Sequence, residues 1–239
     1  MALDETLFRL NSRPTLRFYS WLAPVISTGY FQKNAEHTLE RFAKKGFEVV
    51  RRPTGGRAIF HNDEITYSAA AKYEDFPPPH TLKGIYKTLA LWQINSLSAL
   101  GIEAEMASGS YARRDYRRSE SCFMTSTPYE VCVKGRKISG GAQKRGGSAF
   151  MQHGSILIDS HPHMLSLSSD PANDDEDRFT TLKKEGCACE RSHIINIMIE
   201  KFEETIGCIL EKGELTVDEA EMMKELESKY IRTFSVSQP

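Results

Sequence analysis

The chain has 239 residues, of which 40% are hydrophobic, with 31 lysines and arginines against 32 aspartates and glutamates, enough for one main body with a sizeable core. At a net charge of −1, with the basic residues spread along the chain, neither a nucleic-acid-binding stripe nor a membrane-adsorbing face is expected. No apolar run reaches the roughly 18 residues that span a bilayer, the first residues lack a signal peptide's basic and apolar regions, and five irregularly spaced cysteines fit reduced thiols in a cytoplasmic protein.

In MALDETLFRL the residues Leu3, Leu7 and Leu10 share one helical face, with acidic side chains near the start, where the helix dipole favours them. TLRFYSW alternates Leu16 and Phe18 against Arg17, Tyr19 and Trp21, as a half-buried strand does. PVISTGYFQ predicts a short strand ending at Gly29, the spacing of Leu39, Phe42 and Ala43 predicts a helix from Ala35 to Lys45 stopped by Gly46, and FEVVRR returns as a strand. The loop PTGG leads to RAIFH and then to the alternating EITYSAA. Three prolines in PPPH close that strand region, because they cannot join a sheet interior. A long helix follows from Thr81 to Leu100, with Leu82, Ile85, Leu89, Trp92 and Leu97 as its apolar stripe and Trp92 as a core residue.

IEAEM predicts another strand, and the Arg-rich ASGSYARRDYRRSES a solvated surface loop. YEVCV and RKISG form a hairpin around Lys134 and Gly135, and SAFMQHGSILI a further strand after Gly146 and Gly147. The acidic stretch HPHMLSLSSDPANDDEDRF is a solvated connection, since its aspartates lack a calcium-loop pattern. Ile194, Ile197, Met198 and Phe202 make a helical stripe, Thr216 with Glu219 a capping box for a last helix carrying Met223 and Leu226, and SVSQP a disordered tail.

Chemistry concentrates in two stretches, RRPTGGRAIFHNDEITYS from Arg51 to Ser68 and KISGGAQKR from Lys137 to Arg145. Each sets paired glycines beside positive charges, which lets backbone N–H groups approach a carbonyl, carboxylate or phosphate without a Cβ in the way. TGG by itself is usually only a tight turn. The surrounding Arg51, Arg52, Arg57 and His61 change that reading, because crowding such groups is costly unless an anion or polar ligand offsets them. Cys132, between Val131 and Val133, reads as a small core residue. Cys187 and Cys189 with His193 lack a fourth ligand at a familiar spacing, so no metal is expected. Cys122 instead sits in a polar loop just before a strand, a position that by itself proves nothing.

The succession MALDE, TLRFY, RRPTGGRAIFHNDEITYS, CF, YEV, GRKISGGAQKR and QHGSIL, from Met1 to about Tyr230, resembles the biotin/lipoate protein ligase catalytic-domain family. Within it the chain is most similar to the cysteine-dependent octanoyltransferases of lipoate assembly. The resemblance implies an α+β fold of mixed or antiparallel sheets flanked by helices, with a tunnel for a medium acyl chain. It implies a catalytic domain over 1–185 and a C-terminal helical segment over 186–239 packed on it. Members of this family carry a further strand and loop before MALDE, so an N-terminal strand is expected to be missing. ATP-using lipoate ligases have a third glycine where this chain has Arg57 and lack the cysteine, so GGR with SCF points away from adenylation. By the same resemblance, Cys122 matches the acyl-thioester nucleophile and Lys137 an invariant lysine. Gly55, Gly56, Gly140 and Ala142 match positions lining the acyl site, and Arg52, His61 and His153 match further motif residues. Thr54 and Arg57, within the first motif, complete the substrate-binding set. Gly141 stands where serine is common, which leaves the close backbone approach intact.

The implied reaction takes an octanoyl group from octanoyl-acyl carrier protein onto Cys122 and then onto a lysine of a lipoyl domain or glycine-cleavage H protein, without ATP or another cofactor and in a monomer. An ammonium near the thiol, such as that of Lys137, favours the thiolate. Either His153 or Lys137 in its neutral form could take the proton of the attacking lysine. Three other readings stay open: an ATP-dependent lipoate ligase, an amidotransferase drawing on an H protein, and a non-catalytic acyl-binding protein.

Overall fold

A computed structural model describes residues 1–32, 35–107, 129–160 and 179–230. Cys122, nearly all of the Arg-rich loop, the acidic connection and the SVSQP tail lie outside the described residues. In chain order the elements are α1 (Ala2–Leu10), β1 (Thr15–Tyr19), β2 (Val25–Thr28), α2 (Ala35–Ala43), β3 (Glu48–Arg51), β4 (Ile59–His61), β5 (Glu64–Lys72), α3 (Leu82–Ala99), β6 (Glu105–Met106), β7 (Val131–Val133), β8 (Arg136–Gly146), β9 (Ala149–Leu157), α4 (Arg191–Ile206) and α5 (Val217–Tyr230). The architecture is α+β, with a six-stranded antiparallel sheet ordered β1-β5-β9-β8-β7-β6 and a three-stranded mixed sheet ordered β3-β2-β4.

Strand β5 shows why the site forms where it does. Its alternation sends Ile65, Tyr67 and Ala69 into the main core with α3 and α4, and therefore sends Glu64, Thr66 and Ser68 to the opposite face. That second face is covered too, by α1 over Ala70 and Met151 and by the small sheet with Ile26, Phe42, Ala58 and Phe60. A polar row is thus trapped between two layers. On the first face Trp92 meets Tyr67 at 4.9 Å and Phe202 at 5.1 Å between ring centroids, both edge-on, and its indole N–H donates to Met198 O at 2.7 Å. One side chain therefore ties α3 to β5 and α4, with its polar edge satisfied.

Several local readings hold in detail. Thr216 and Glu219 exchange the reciprocal bonds of a capping box, at 2.8 and 3.2 Å, and Cys132 is buried in β7. Others change. The hairpin strand read as RKISG continues through the glycines to Gly146, paired with β9 along that length, so Gly140 and Gly141 are strand residues and not a turn. Leu82, assigned to the apolar stripe, is 45% exposed. Asp4 and Glu5 do stand in the first turn of α1, and beyond that reading they are fully buried, with Asp4 bonded to Arg17 at 2.6 Å and Glu5 to Arg9 at 2.6 Å and Lys229 at 2.5 Å. The last bond joins α5 to α1.

Candidate active site

The glycine loop between β3 and β4 is shaped by Arg52, which is 2% exposed. Its guanidinium donates to Gly55 O and Arg57 O at 2.7 Å each, and to Ser27 O at 3.2 Å and Ser27 Oγ at 3.0 Å. The planar fork of donors suits this task, since one rigid group can hold several carbonyls of a bent loop. Gly56 has φ +88°, and a Cβ there would lie 2.7 Å from an Arg52 nitrogen. A Cβ on Gly29 would lie 2.0 Å from Gly56 O, so two bare backbones must pass each other here. The crowding of charge inferred from the sequence is resolved within the protein: Arg51 points outward to Glu36 at 3.2 Å and Tyr30 O at 2.6 Å, while His61 faces Glu64.

His61 is held on both nitrogens. Nε2 lies 2.7 Å from Ser27 Oγ, Nδ1 lies 2.7 Å from Glu64 Oε1, and the ring stacks on Trp21 at 4.4 Å. Arg52 also donates to the Ser27 oxygen, so the guanidinium, the serine hydroxyl, the imidazole and Glu64 form one chain of polar contacts. Glu64 also accepts from Thr66 at 2.6 Å, Ser155 at 2.8 Å and Trp21 at 3.2 Å. Burial pushes its carboxyl up, but His61 and these hydroxyls outweigh that and hold it below the usual glutamate value.

Lys137 reaches the same face through a break in alternation. Cys132 pairs with Lys137 but Val131 pairs with Ser139, so Ile138 is an extra residue on β8, a β-bulge. Ile138 and Ser139 then both turn toward α3: Ile138 joins the main core, and Ser139 Oγ donates to Gln93. Lys137 and Gly140, an odd number of residues apart, consequently share the face that looks onto the small sheet. A Cβ on Gly140 would lie 2.8 Å from Lys137 Cε and 3.0 Å from Nζ, so the glycine makes room for the lysine stem. The ammonium is fully buried and donates to Glu130 Oε1 at 2.6 Å. Glu130 N and O lie at one end of the undescribed segment that carries Cys122, and Glu130 O accepts from Ala107 N, at its other end, at 2.8 Å.

Between the two sheets lies a narrow cleft, lined by residues that include Tyr19, Arg52, His61, Gly140, Ala142 and His153. Thr54 is fully buried, with its hydroxyl 3.4 Å from His153 Nδ1. His153 Nε2 is 3.4 Å from Asp4 Oδ2. Burial lowers the imidazole's proton affinity below that of a free histidine, and Asp4 only partly offsets this, so the ring is neutral at physiological pH. Gly55, Gly56 and Arg57 do not line the cleft themselves. They lie behind its lining, where Gly55 N donates to Gln143 O at 3.5 Å and a Cβ on Gly56 would touch Ala142 at 3.6 Å. Sequence reasoning missed Glu130, Glu64, Ser27, Tyr19 and Asp4. The alternating Glu64, Thr66 and Ser68 in an otherwise apolar strand were the one available signal for the polar face.

The buried acids set an expected pH response. Asp4, Glu64 and Glu5, the last lowered to about 2, all keep their charge more readily in the folded chain than the ordinary carboxyl values of 3.8 and 4.5 imply. His153, depressed from 6.5, is protonated more readily once unfolded. All four groups therefore contribute stability that is full above about pH 6.5 and is lost as the pH falls, most steeply below 4.5, as the unfolded state binds more protons. Thermal unfolding followed across pH 7 to 3 is expected to show Tm falling by several degrees per unit below 4.5; a flat Tm over that range contradicts it.

The family model for the lipoyl protein ligase A/B catalytic domain matches residues 1–210. The octanoyltransferase LipM of Kyrpidia tusciae is 35% identical over 250 residues, covering 97% of this chain and 91% of that protein. The enzyme of the same name from Geobacillus kaustophilus is 36% identical over 245 residues, covering 95% and 88%. Among solved structures, lipoate-protein ligase A bound with ATP superposes with a TM-score of 0.79 at 22% identity, and a protein from T. acidophilum with bound lipoic acid with 0.76 at 22%, each over 95% of this chain and 88% of the other. At that identity the two structures bear on the fold.

Proposed function

The chain belongs to the lipoyl protein ligase A/B catalytic-domain family, and from that premise we propose that it is an octanoyltransferase working through a thioester on Cys122. The donor is octanoyl-acyl carrier protein and the acceptor a lysine of a lipoyl domain or glycine-cleavage H protein. The observation that carries this reading is the buried Lys137 ammonium beneath Gly140, on the face of β8 that looks into the cleft. A fixed positive charge in a dry site favours a nearby thiolate and a developing oxyanion far more than it would in water. Its charge-assisted hydrogen bond to Glu130 at 2.6 Å holds it in place.

In the first half-reaction the Cys122 thiolate attacks the donor's thioester carbonyl, a carbon–sulfur bond forms, and the carrier's thiol leaves. One thioester replaces another, so no activation is needed. In the second, the acceptor amine displaces Cys122 and forms an amide, which is downhill without ATP. Arg52, backed by Thr54, Gly55, Gly56 and Arg57, forms one wall, Gly140 and Ala142 the floor, and His61 with His153 the polar end of the substrate site. Of the C-terminal segment 186–239, the described part packs on the catalytic body and is not a separate unit, since Ile194, Met198 and Phe202 share its core. The protein acts as a cytoplasmic monomer.

Incubation with octanoyl-acyl carrier protein alone tests this. A mass gain of one octanoyl group, mapped to Cys122 and removed by hydroxylamine, is the expected result. Transfer to a lipoyl domain with no such adduct at any time point would overturn the thioester route.

A further inference from the structure

Beyond the cleft, β8 leads to a surface that takes no part in the thioester chemistry. Gly140 and Ala142 line the cleft, and Lys144, alternating with them, stands on the same face of the strand, roughly 7 Å further along. There it meets α1 and the turn after β2. Its Nζ lies 3.7 Å from Glu5 Oε1, 5.4 Å from the centre of the Phe8 ring and 5.9 Å from that of Tyr30. Glu5 already takes Arg9 at 2.6 Å and Lys229 of α5 at 2.5 Å, so three cations share one buried carboxylate and the cluster is positive. Burial lowers the proton affinity of Lys144; Glu5 opposes that, while Lys229 and Arg9 add to it. All three basic side chains reach solvent.

Beside these cations two aromatic rings stand in water. Phe31 is 82% exposed and Tyr30 48%, and they meet edge-on at 4.9 Å. The turn that presents them is pinned from both sides. Tyr30 N donates to Thr54 O of the glycine loop at 2.8 Å, Gln32 N to Gly29 O at 3.1 Å, and Arg51 to Tyr30 O at 2.6 Å. A fixed backbone therefore holds the rings outward. The Arg51 charge is met by Glu36 at 3.2 Å, so the excess positive charge comes from Arg9, Lys144 and Lys229. Exposed aromatic surface beside fixed cations, at the edge of a cleft, has the composition of a protein-binding surface.

We propose that this rim, Arg9, Lys144 and Lys229 with Tyr30 and Phe31, is the docking surface for the donor, the acyl carrier protein. The proposal rests on the octanoyltransferase reading. Charge selects between the two protein substrates. The donor's acyl group hangs on a phosphopantetheine arm joined to the carrier by a phosphodiester, so the carrier's point of attachment is negative by its chemistry. The acceptor brings a lysine ammonium to the same cleft, and a positive rim repels it. Charges at a rim act on encounter and on its salt dependence and leave the chemical step alone. The two rings add short-range contact once the carrier has arrived.

The test gives the full chain two donors, octanoyl-acyl carrier protein and octanoyl-pantetheine, which has neither carrier nor phosphate. In the wild type, KM for the carrier donor is expected to rise about threefold as ionic strength goes from about 0.01 to about 0.15 M and the Debye length falls from about 30 to about 8 Å. KM for octanoyl-pantetheine is expected to stay constant. Lys144→Gln combined with Phe31→Ser is expected to raise KM for the carrier donor about tenfold, with kcat and octanoyl-pantetheine turnover unchanged. Glu5 keeps Arg9 and Lys229 in that variant, so its Tm is expected to match the wild type. A wild-type carrier KM indifferent to salt overturns the proposal without any variant. So does a variant with the wild-type carrier KM, an equal loss with both donors, or a rise confined to the KM of the acceptor. If the wild type forms no adduct on Cys122 from either donor, the octanoyltransferase reading falls and this proposal with it; an adduct formed while variant and wild type bind labelled carrier equally in fluorescence anisotropy removes the proposal alone.

Discussion

Serine in place of Cys122 is expected to slow octanoyl transfer by at least about a thousandfold and to leave no hydroxylamine-labile adduct. The reason is the ionisation of the attacking atom. A thiol near pKa 8.5 is already a few per cent thiolate at neutral pH, and a buried ammonium nearby raises that fraction. A serine hydroxyl has no comparable anionic population, and it needs a base within hydrogen-bond reach to attack at all. The comparison is made by steady-state transfer from octanoyl-acyl carrier protein to a lipoyl domain, with mass analysis of the enzyme. A serine variant that retains a tenth of wild-type transfer would exclude Cys122 as nucleophile. An ATP-dependent ligase acting on free lipoate would keep its activity through this change, so the same variant separates the two chemistries.

Methionine in place of Lys137 is expected to cost at least about a hundredfold in transfer rate and about 3 kcal/mol in stability. The two losses have one origin and can be told apart. Methionine matches the lysine stem packed beneath Gly140, so little packing is lost, but the Glu130 carboxyl is left buried without the ammonium. Changing Glu130 to leucine in the same chain removes that uncompensated charge. The double variant is therefore expected to regain most of the lost Tm and none of the lost activity. Equal recovery of both would mean that Lys137 acts only in stability. Retention of full activity by the single variant would remove the electrostatic role altogether.

Much of this protein is legible one-dimensionally. The helix-period stripe of α3, the capping box at Thr216 and Glu219, the burial of Cys132 and the two glycine motifs depend on residues close together in the chain. Local propensity and periodicity act over that range. The same is true of the ordered motifs behind the family resemblance, which the matched family model covers over residues 1–210. Sequence also offered a hint of the polar row Glu64, Thr66 and Ser68, because a strand alternates whatever covers it.

The tertiary structure decided the rest, since it concerns direction and distant partners. Strict alternation would have put Lys137 on the α3 side with Ser139; the bulge at Ile138, set by pairing with β7, reverses it and packs the lysine stem beneath Gly140. Arg51 and Arg52 are neighbours of identical chemistry, yet one meets solvent and Glu36 while the other builds the loop from inside. Asp4 looks like an ordinary helix-start acid until β9 brings His153 to it across the sheet. A pattern in sequence carries the period of a strand, but the face a side chain occupies, and the charge it meets there, depend on register and on layers contributed by residues more than a hundred positions away.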